Sequence, residues 1–142
     1  MNAELLFESD PWSEAKRLAE AGEFGRIASI GISEICDGGD VEGAEERWLA
    51  RLNELLGEPE STDAVRCSKA VSILLRYREP AVVRLFLDGS EGVPVYTFEI
   101  VGTDRLVVYK PDLGALSITN ADGGVSRVLR HEYADNLRRG GV

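Results

Sequence analysis

The chain of 142 residues carries 25 acidic and 16 basic side chains, for a formal net charge of -9. A chain of this length fits a single domain that buries roughly two-thirds of the surface exposed by its unfolded form. The negative charge disfavours binding to nucleic-acid phosphates, and no apolar run approaches the roughly 20 residues that span a bilayer.

The two cysteines and the absence of a leader sequence suggest a location. Cys36 and Cys67 both lie in apolar patterns, where a buried free thiol is more usual than a disulfide. No secretory or transit-like segment precedes Pro11. We therefore expect a soluble, cytoplasmic protein.

The first half of the chain has the punctuation of helices. Asp10 is placed to cap a helix that begins at Pro11 and stops at Gly22. The next stretch, FGRIASIGISEIC, places apolar residues from Phe24 to Cys36 on one helical face. We expect a helix there, although its isoleucines and interior glycines also suit a buried strand.

Two further helices are predicted before residue 80. The first has an apolar stripe that includes Trp48 and Leu52, and it stops at Gly57. The second covers about residues 61–79 and must end there, because Pro80 disfavours helix at the residue before it. The helical part of the chain therefore extends over about residues 10–79.

The second half changes to short strands separated by turns. Five runs between about residues 81 and 129 predict an antiparallel meander. The run at residues 81–88 also has the Pro start and Gly stop of a helix, which would leave four strands. With a short terminal helix at about residues 131–139, the predicted fold is a single α+β domain over residues 1–142, with about four helices packed on the meander.

The chain ends in the sequence LRRGGV, residues 137–142. This tail resembles the ends of ubiquitin-like modifiers, in which paired glycines allow close approach to an extended backbone. Glycine is also the commonest helix stop. Because the preceding residues predict a short helix, we interpret the tail as a helix end and not as a conjugation signal.

Residues for metal or phosphate chemistry are not arranged in the required patterns. A calcium loop starting at Asp37 would place Gly39 and Val41 at ligand positions and Trp48 at the twelfth. Asp40 as a helix cap explains the same loop. The sequence also contains no G-x-x-x-x-G-K-[ST] and no G-x-G-x-x-G. We therefore expect no metal and no cofactor.

The remaining feature is a surface of like charge, which we call the acidic ridge. Residues 1–71 hold 16 acidic and 7 basic side chains, whereas residues 72–142 hold nine of each. Such a surface favours cationic partners through electrostatic steering. The ridge on and after the Trp48 helix consists of Glu42, Glu45, Glu46, Glu54 and Glu58.

The ridge leads to a functional hypothesis without catalysis. We predict a protein-binding module that occludes or escorts a basic protein, as small acidic bacterial inhibitors, immunity proteins and chaperones do. One alternative is a small hydrolase or transferase. Its site would combine His131 and Asp135, one helical turn apart, with Arg127 or Arg130. A second alternative is a structural subunit of a larger assembly.

Overall fold

The computed structural model describes residues 5–7, 9–78 and 81–131. Helix α1 spans Pro11–Glu20, helix α2 spans Val41–Leu56, and a single 3-10 turn at Asp37–Gly39 precedes α2. The strands are β1 (Leu5–Phe7), β2 (Ile27–Ile35), β3 (Ser61–Arg66), β4 (Ala70–Arg76), β5 (Val82–Asp88), β6 (Val95–Gly102), β7 (Arg105–Lys110), β8 (Ala115–Asn120) and β9 (Val125–His131).

The chain divides into two compact units. The first comprises residues 1–27 and 99–142, and the second comprises residues 28–98. In the first unit the strand order is β1-β9-β8-β7, followed by the end of β6. Strand β1 pairs with β9 in parallel, whereas β6–β7, β7–β8 and β8–β9 are antiparallel. Helix α1 packs on β8 and buries Trp12 and Leu18.

The second unit is a smaller sheet with a helix on one face. Its strand order is β2-β5-β4-β3, and the first half of β6 lies beside β2. Strands β2 and β5 run parallel, while β4 pairs antiparallel with both β5 and β3. Helix α2 packs on β5, and its residues Ala44, Trp48 and Leu52 are fully buried. Burial alternates along β4 and β5, so one face of the sheet contacts the helix.

This architecture contradicts the predicted fold class. Within the described residues there are two α-helices rather than about four, and the strands form a mixed sheet instead of a simple meander. The stretch from Phe24 to Cys36 is not a helix, because residues 27–35 form β2. The buried side chains of Ile30 and Ile32 alternate at the period of a strand. The β-branched isoleucines of this segment therefore favour a strand, even though its apolar residues also have a helical spacing.

The predicted helix over residues 61–79 is also wrong. Strands β3 and β4 form a hairpin there, with Arg66 opposite Val71. All six residues of β3 are exposed. This edge strand therefore lacks the alternation of apolar and polar residues by which a sequence reveals a strand. The predicted terminal helix begins in error at His131, which belongs to β9; residues 132–139 lie outside the described part of the chain.

Several local predictions are confirmed. Helix α1 begins at Pro11, although Asp10 makes no side-chain cap, and α2 ends at Gly57. Residues 82–88 form a strand, but β5 pairs with β2 and β4 and not with the next strand along the chain. Both cysteines are free thiols; Cys36 is buried as expected, but Cys67 is exposed, so its predicted burial is wrong. Neither helix is long and apolar enough to cross a membrane.

Candidate functional site

A cavity of about 230 Å³ lies in the second unit, where the end of β2, the helix α2 and the start of β6 meet. This volume is below the range of about 300–1,000 Å³ that is usual for small-molecule sites. Pro94 and Val95 contribute apolar wall, and the polar side chains that line it are Glu34, Asp37, Arg47, Arg51 and Tyr96. We call it the Glu34 cavity.

The position of Glu34 follows from the alternation of β2. Ile30 and Ile32 are buried, and Glu34 is the next residue on the same face of the strand. Its side chain is only 11% exposed. Trp48 Nε1 donates to one carboxylate oxygen at 2.8 Å, and Arg47 Nη2 donates to the other at 3.2 Å. A nearly buried carboxylate is thus held in a fixed orientation by two donors.

Helix α2 supplies the opposite wall through residues one turn apart. Arg47 and Arg51 are four residues apart and therefore share a face of the helix. The Arg51 guanidinium carbon lies 4.7 Å from the centroid of the Trp48 ring. Trp48 itself is fully buried and meets Tyr96 edge to face, with ring centroids 5.3 Å apart. Trp48, held in place by Tyr96, therefore contacts Arg51 through its ring and Glu34 through its N–H.

The turn before α2 sets the position of Asp37 at the edge of the cavity. Cys36 N–H donates to the Asp88 carbonyl at 2.8 Å, which fixes the chain at the end of β2. Gly38 and Gly39 have φ values of 63° and 75°, a conformation that favours glycine. The Asp40 side chain then accepts from Gly43 N–H at 2.9 Å, so the predicted N-cap is confirmed.

A second hollow of about 180 Å³ involves Phe86, Asp88 and Thr97 and shares Glu34 and Val95 with the first. Its exposed wall is mostly apolar. Orientation of a small ligand requires a few convergent polar groups, and the Glu34 cavity has more of them. We therefore consider the Glu34 cavity the candidate site.

The acidic ridge is placed on and beyond α2, and four of its five acids are exposed. These are Glu42, Glu46, Glu54 and Glu58. Glu45 differs, because both of its carboxylate oxygens accept from Arg66 of β3, at 2.8 and 2.9 Å. These hydrogen bonds hold the pKa of the Glu45 carboxyl below its usual value, against the opposing effect of partial burial. Glu45 therefore links α2 to the edge strand; contact of the ridge with a basic protein stays a prediction.

Replacing Arg66 by alanine is expected to raise the pKa of Glu45 toward its ordinary value of 4.5. A carboxyl whose pKa is lowered by folding stabilises the folded state above its unfolded pKa, and this stabilisation is lost as pH falls through the lowered value. The variant should therefore lose less stability than the wild type on acidification below about pH 4.5. NMR titration of the Glu45 side chain measures the shift directly. Arg78→Ala removes an arginine paired with Glu60 and should leave the pKa of Glu45 unchanged. If the pKa of Glu45 is the same in Arg66→Ala as in the wild type, Arg66 is not the cause of its lowered value.

The residues of the predicted hydrolase site do not converge. His131 lies at the end of β9, where its ring meets Phe7 edge to face and its backbone N–H donates to the Gly114 carbonyl. Arg127 is on the same strand, four residues or about 13 Å away, and forms a 2.8 Å ion pair with Glu23.

The other two members of that predicted site give no support either. Arg130 is adjacent to His131 in β9, so its side chain leaves the opposite face of the strand. Asp135 lies outside the described residues. In the part of the chain that the structure describes, no group of three or more His, Cys, Asp or Glu side chains is placed to hold a metal ion.

Sequence reasoning missed the Glu34 cavity because β2 was interpreted as a helix. As a helical residue, Glu34 would be one more solvated acid. As the residue two positions after Ile32 in a half-buried strand, it must point into the protein. That alternation was the available signal, and it predicts a carboxylate that needs buried donors.

Comparison with known proteins shows similarity in fold. No protein-family model and no curated protein sequence matches the chain. Among solved structures, levoglucosan dehydrogenase in complex with NADH and levoglucosan has a TM-score of 0.65 and 21% identity, covering 82% of this chain and 42% of that one. An oxidoreductase from Pseudomonas syringae has a TM-score of 0.69 and 11% identity, with 85% and 38% covered.

A third solved structure agrees with these two. An inositol dehydrogenase homolog from Azotobacter vinelandii, complexed with NADH and myo-inositol, has a TM-score of 0.65 and 12% identity, over 85% of this chain and 39% of that one. The chain thus has the fold found in part of these oxidoreductases, and it spans about two-fifths of their length.

These similarities overturn the predicted function. Two of these structures are dehydrogenases or dehydrogenase homologs with NADH bound and the other is an oxidoreductase, so the prediction of a non-catalytic module of inhibitor, immunity or chaperone type is wrong. The alternatives of a small hydrolase or transferase and of a structural subunit do not describe these neighbours either.

Proposed function

We propose that this chain is the ligand-binding part of an NAD(H)-linked oxidoreductase and holds a small polyhydroxylated molecule in the Glu34 cavity. The fold is the one found in part of dehydrogenases whose structures contain levoglucosan, L-sorbose or myo-inositol with NADH. Free thiols at Cys36 and Cys67 fit a reducing compartment, so the proposal keeps the predicted cytoplasmic location.

The observation that carries the proposal is the oriented carboxylate of Glu34. A carboxylate has about four lone-pair sites, and Trp48 and Arg47 use one on each oxygen. The remaining sites can accept hydroxyl groups, while Arg47 and Arg51 present donors to hydroxyl oxygens. Acceptors and donors on facing walls of a cavity of about 230 Å³ match a molecule that has many hydroxyl groups and little apolar surface.

The described residues do not fit the dinucleotide itself. Dinucleotide-binding sheets of the doubly wound type are parallel and carry a Gly-rich turn that approaches the pyrophosphate. Here β3–β4, β4–β5, β6–β7, β7–β8 and β8–β9 are antiparallel, and the sequence has no G-x-G-x-x-G. We therefore propose that NAD(H) is bound by a separate domain, and we assign no hydride-transfer step to this chain.

The proposal is tested by titrating the full chain with myo-inositol and sorbitol and following binding by NMR. Shifts should concentrate at Glu34, Trp48 and Tyr96. Glu34→Gln removes the charge that accepts hydroxyl donors and should weaken binding at least about tenfold, since a hydrogen bond to a charged group contributes about 1.5–3 kcal/mol. Glu60→Gln is the matched control: Glu60 is an exposed acid of the same unit that pairs with Arg78.

Two results would contradict the proposal. One is the lack of any shift in the cavity with either compound at high concentration. The other is binding of NADH to this chain alone, which would place the nucleotide site within these residues.

A further inference from the structure

Arg51 differs from Arg47, the other cation that lines the Glu34 cavity. Arg47 is already paired with Glu34 at 3.2 Å. Arg51 forms no ion pair within 4 Å among the described residues, and its contact there is with the face of the Trp48 ring. The cavity thus contains a half-buried guanidinium that forms no ion pair with the described residues, although Asp37 lines the same space.

The contact with Trp48 orients this guanidinium to bind an anion. An aromatic ring on one face of the planar fork restricts its rotation and leaves its N–H edges available. The geometry of these edges matches the two oxygens of a carboxylate or of a phosphate. Since less side-chain entropy remains to be lost on binding, the interaction is stronger than with a freely moving arginine.

The acids of the cavity decide between the two anions. Glu34 and Asp37 line the same space, and neither forms an ion pair with Arg51. Two carboxylates near a bound phosphate would repel a group that carries close to two negative charges. A carboxylate carries only one negative charge and is repelled less than a phosphate, and hydroxyl groups on the same ligand can donate to Glu34 and Asp37.

We propose that the ligand of the Glu34 cavity is a hydroxylated monocarboxylate of the sugar-acid class, bound through its carboxylate by Arg51 and through its hydroxyls by Glu34 and Asp37. This inference rests on the proposed function, because it identifies the class of ligand at the same site.

The test compares two probes that share a six-carbon polyol chain, gluconate with its carboxylate and sorbitol without it. Each is titrated into the full chain at constant ionic strength and followed by NMR. Gluconate should bind at least about tenfold more tightly than sorbitol. Arg51→Gln should abolish this preference, because it lowers gluconate affinity far more than sorbitol affinity. Arg78→Gln, which changes an arginine that is 90% exposed and paired with Glu60, should alter neither.

A second variant guards against a change in folding. Arg51→Lys keeps the charge but loses the planar fork, so it should retain part of the preference for gluconate. Equal affinity of the wild type for gluconate and sorbitol would overturn this inference and leave the proposed function intact. Lack of binding by both would overturn the two together. Inorganic phosphate provides a third outcome. If phosphate displaces bound gluconate and binds the cavity more tightly than gluconate does, the inference is also overturned, because phosphate would then be the preferred anion.

Discussion

Replacing Trp48 by alanine is expected to lower the free energy of unfolding by about 3–5 kcal/mol, the usual cost of removing a large buried aromatic side chain. Trp48 is fully buried under α2 and is the largest side chain between that helix and the sheet of the second unit. Its loss would also remove a donor to Glu34 and the surface on which Arg51 lies. Urea unfolding followed by far-UV circular dichroism measures the change without depending on tryptophan fluorescence.

Trp48→Phe separates packing from hydrogen bonding in this prediction. Phenylalanine keeps an aromatic ring in place but cannot donate to Glu34, which then retains Arg47 as its one donor among the described residues. We expect a loss of about 1–3 kcal/mol, the penalty for leaving a buried polar group with fewer partners. A Trp48→Ala variant that loses less than Trp48→Phe would show that packing at this position is not what the structure indicates.

Replacing Gly102 by alanine should destabilise the first unit by about 3 kcal/mol, at the upper end of the cost of inserting a methyl group into a packed interior. A Cβ at Gly102 would collide with the carbonyl oxygen and the Cβ of Phe24. Those atoms cannot move freely. Phe24 is fully buried, and its carbonyl accepts from Asp104 N–H at 2.9 Å. The change is measured by urea unfolding, as for Trp48.

Gly92→Ala is the matched control for this substitution. The nearest atom to a Cβ at Gly92 is the Ile35 Cγ2, at an ordinary contact distance of 3.4 Å. Neither Gly92 nor Gly102 has a positive φ, so backbone strain does not distinguish the two sites. Gly92→Ala should change the free energy of unfolding by less than about 1 kcal/mol. Alanine lowers the conformational entropy of the unfolded chain, and this gain offsets the small steric cost in the folded state. Similar losses at both positions would show that the contact of Gly102 with Phe24 is not a tight one.

The two predicted helices that proved to be strands before residue 80 were wrong for different physical reasons. In residues 27–35 the sequence is compatible with both periods, because small residues such as Gly31 and Ser33 fit either structure. In residues 61–76 the edge strand β3 is exposed on both faces, so no alternation marks it as a strand. Apolar residues of β4 then matched a helical spacing by chance.

The candidate site depends on contacts between residues that are distant in the chain. Glu34 meets Trp48 across 14 positions, and Tyr96 reaches the same ring from a further 48 positions along. Neither Glu34 nor Arg51 belongs to a motif of fixed spacing, so only the packing of α2 on the sheet brings them to one cavity. The acidic ridge, by contrast, lies on and just after one helix, so the sequence alone reveals it.

The sequence by itself determined the features that arise within a few residues. Helix α1 begins at Pro11, helix α2 is capped by Asp40 and stops at Gly57, and the last strands are divided by their turns. Only the tertiary structure decided the pairing of β2 with β5, in which Ser29 lies beside Val82. Parallel pairing of strands so far apart in the chain is stabilised by the burial of one face of α2 against the sheet. A short stretch of sequence contains no information about this contact. The orientation of Glu34 and the Glu34 cavity follow from that pairing.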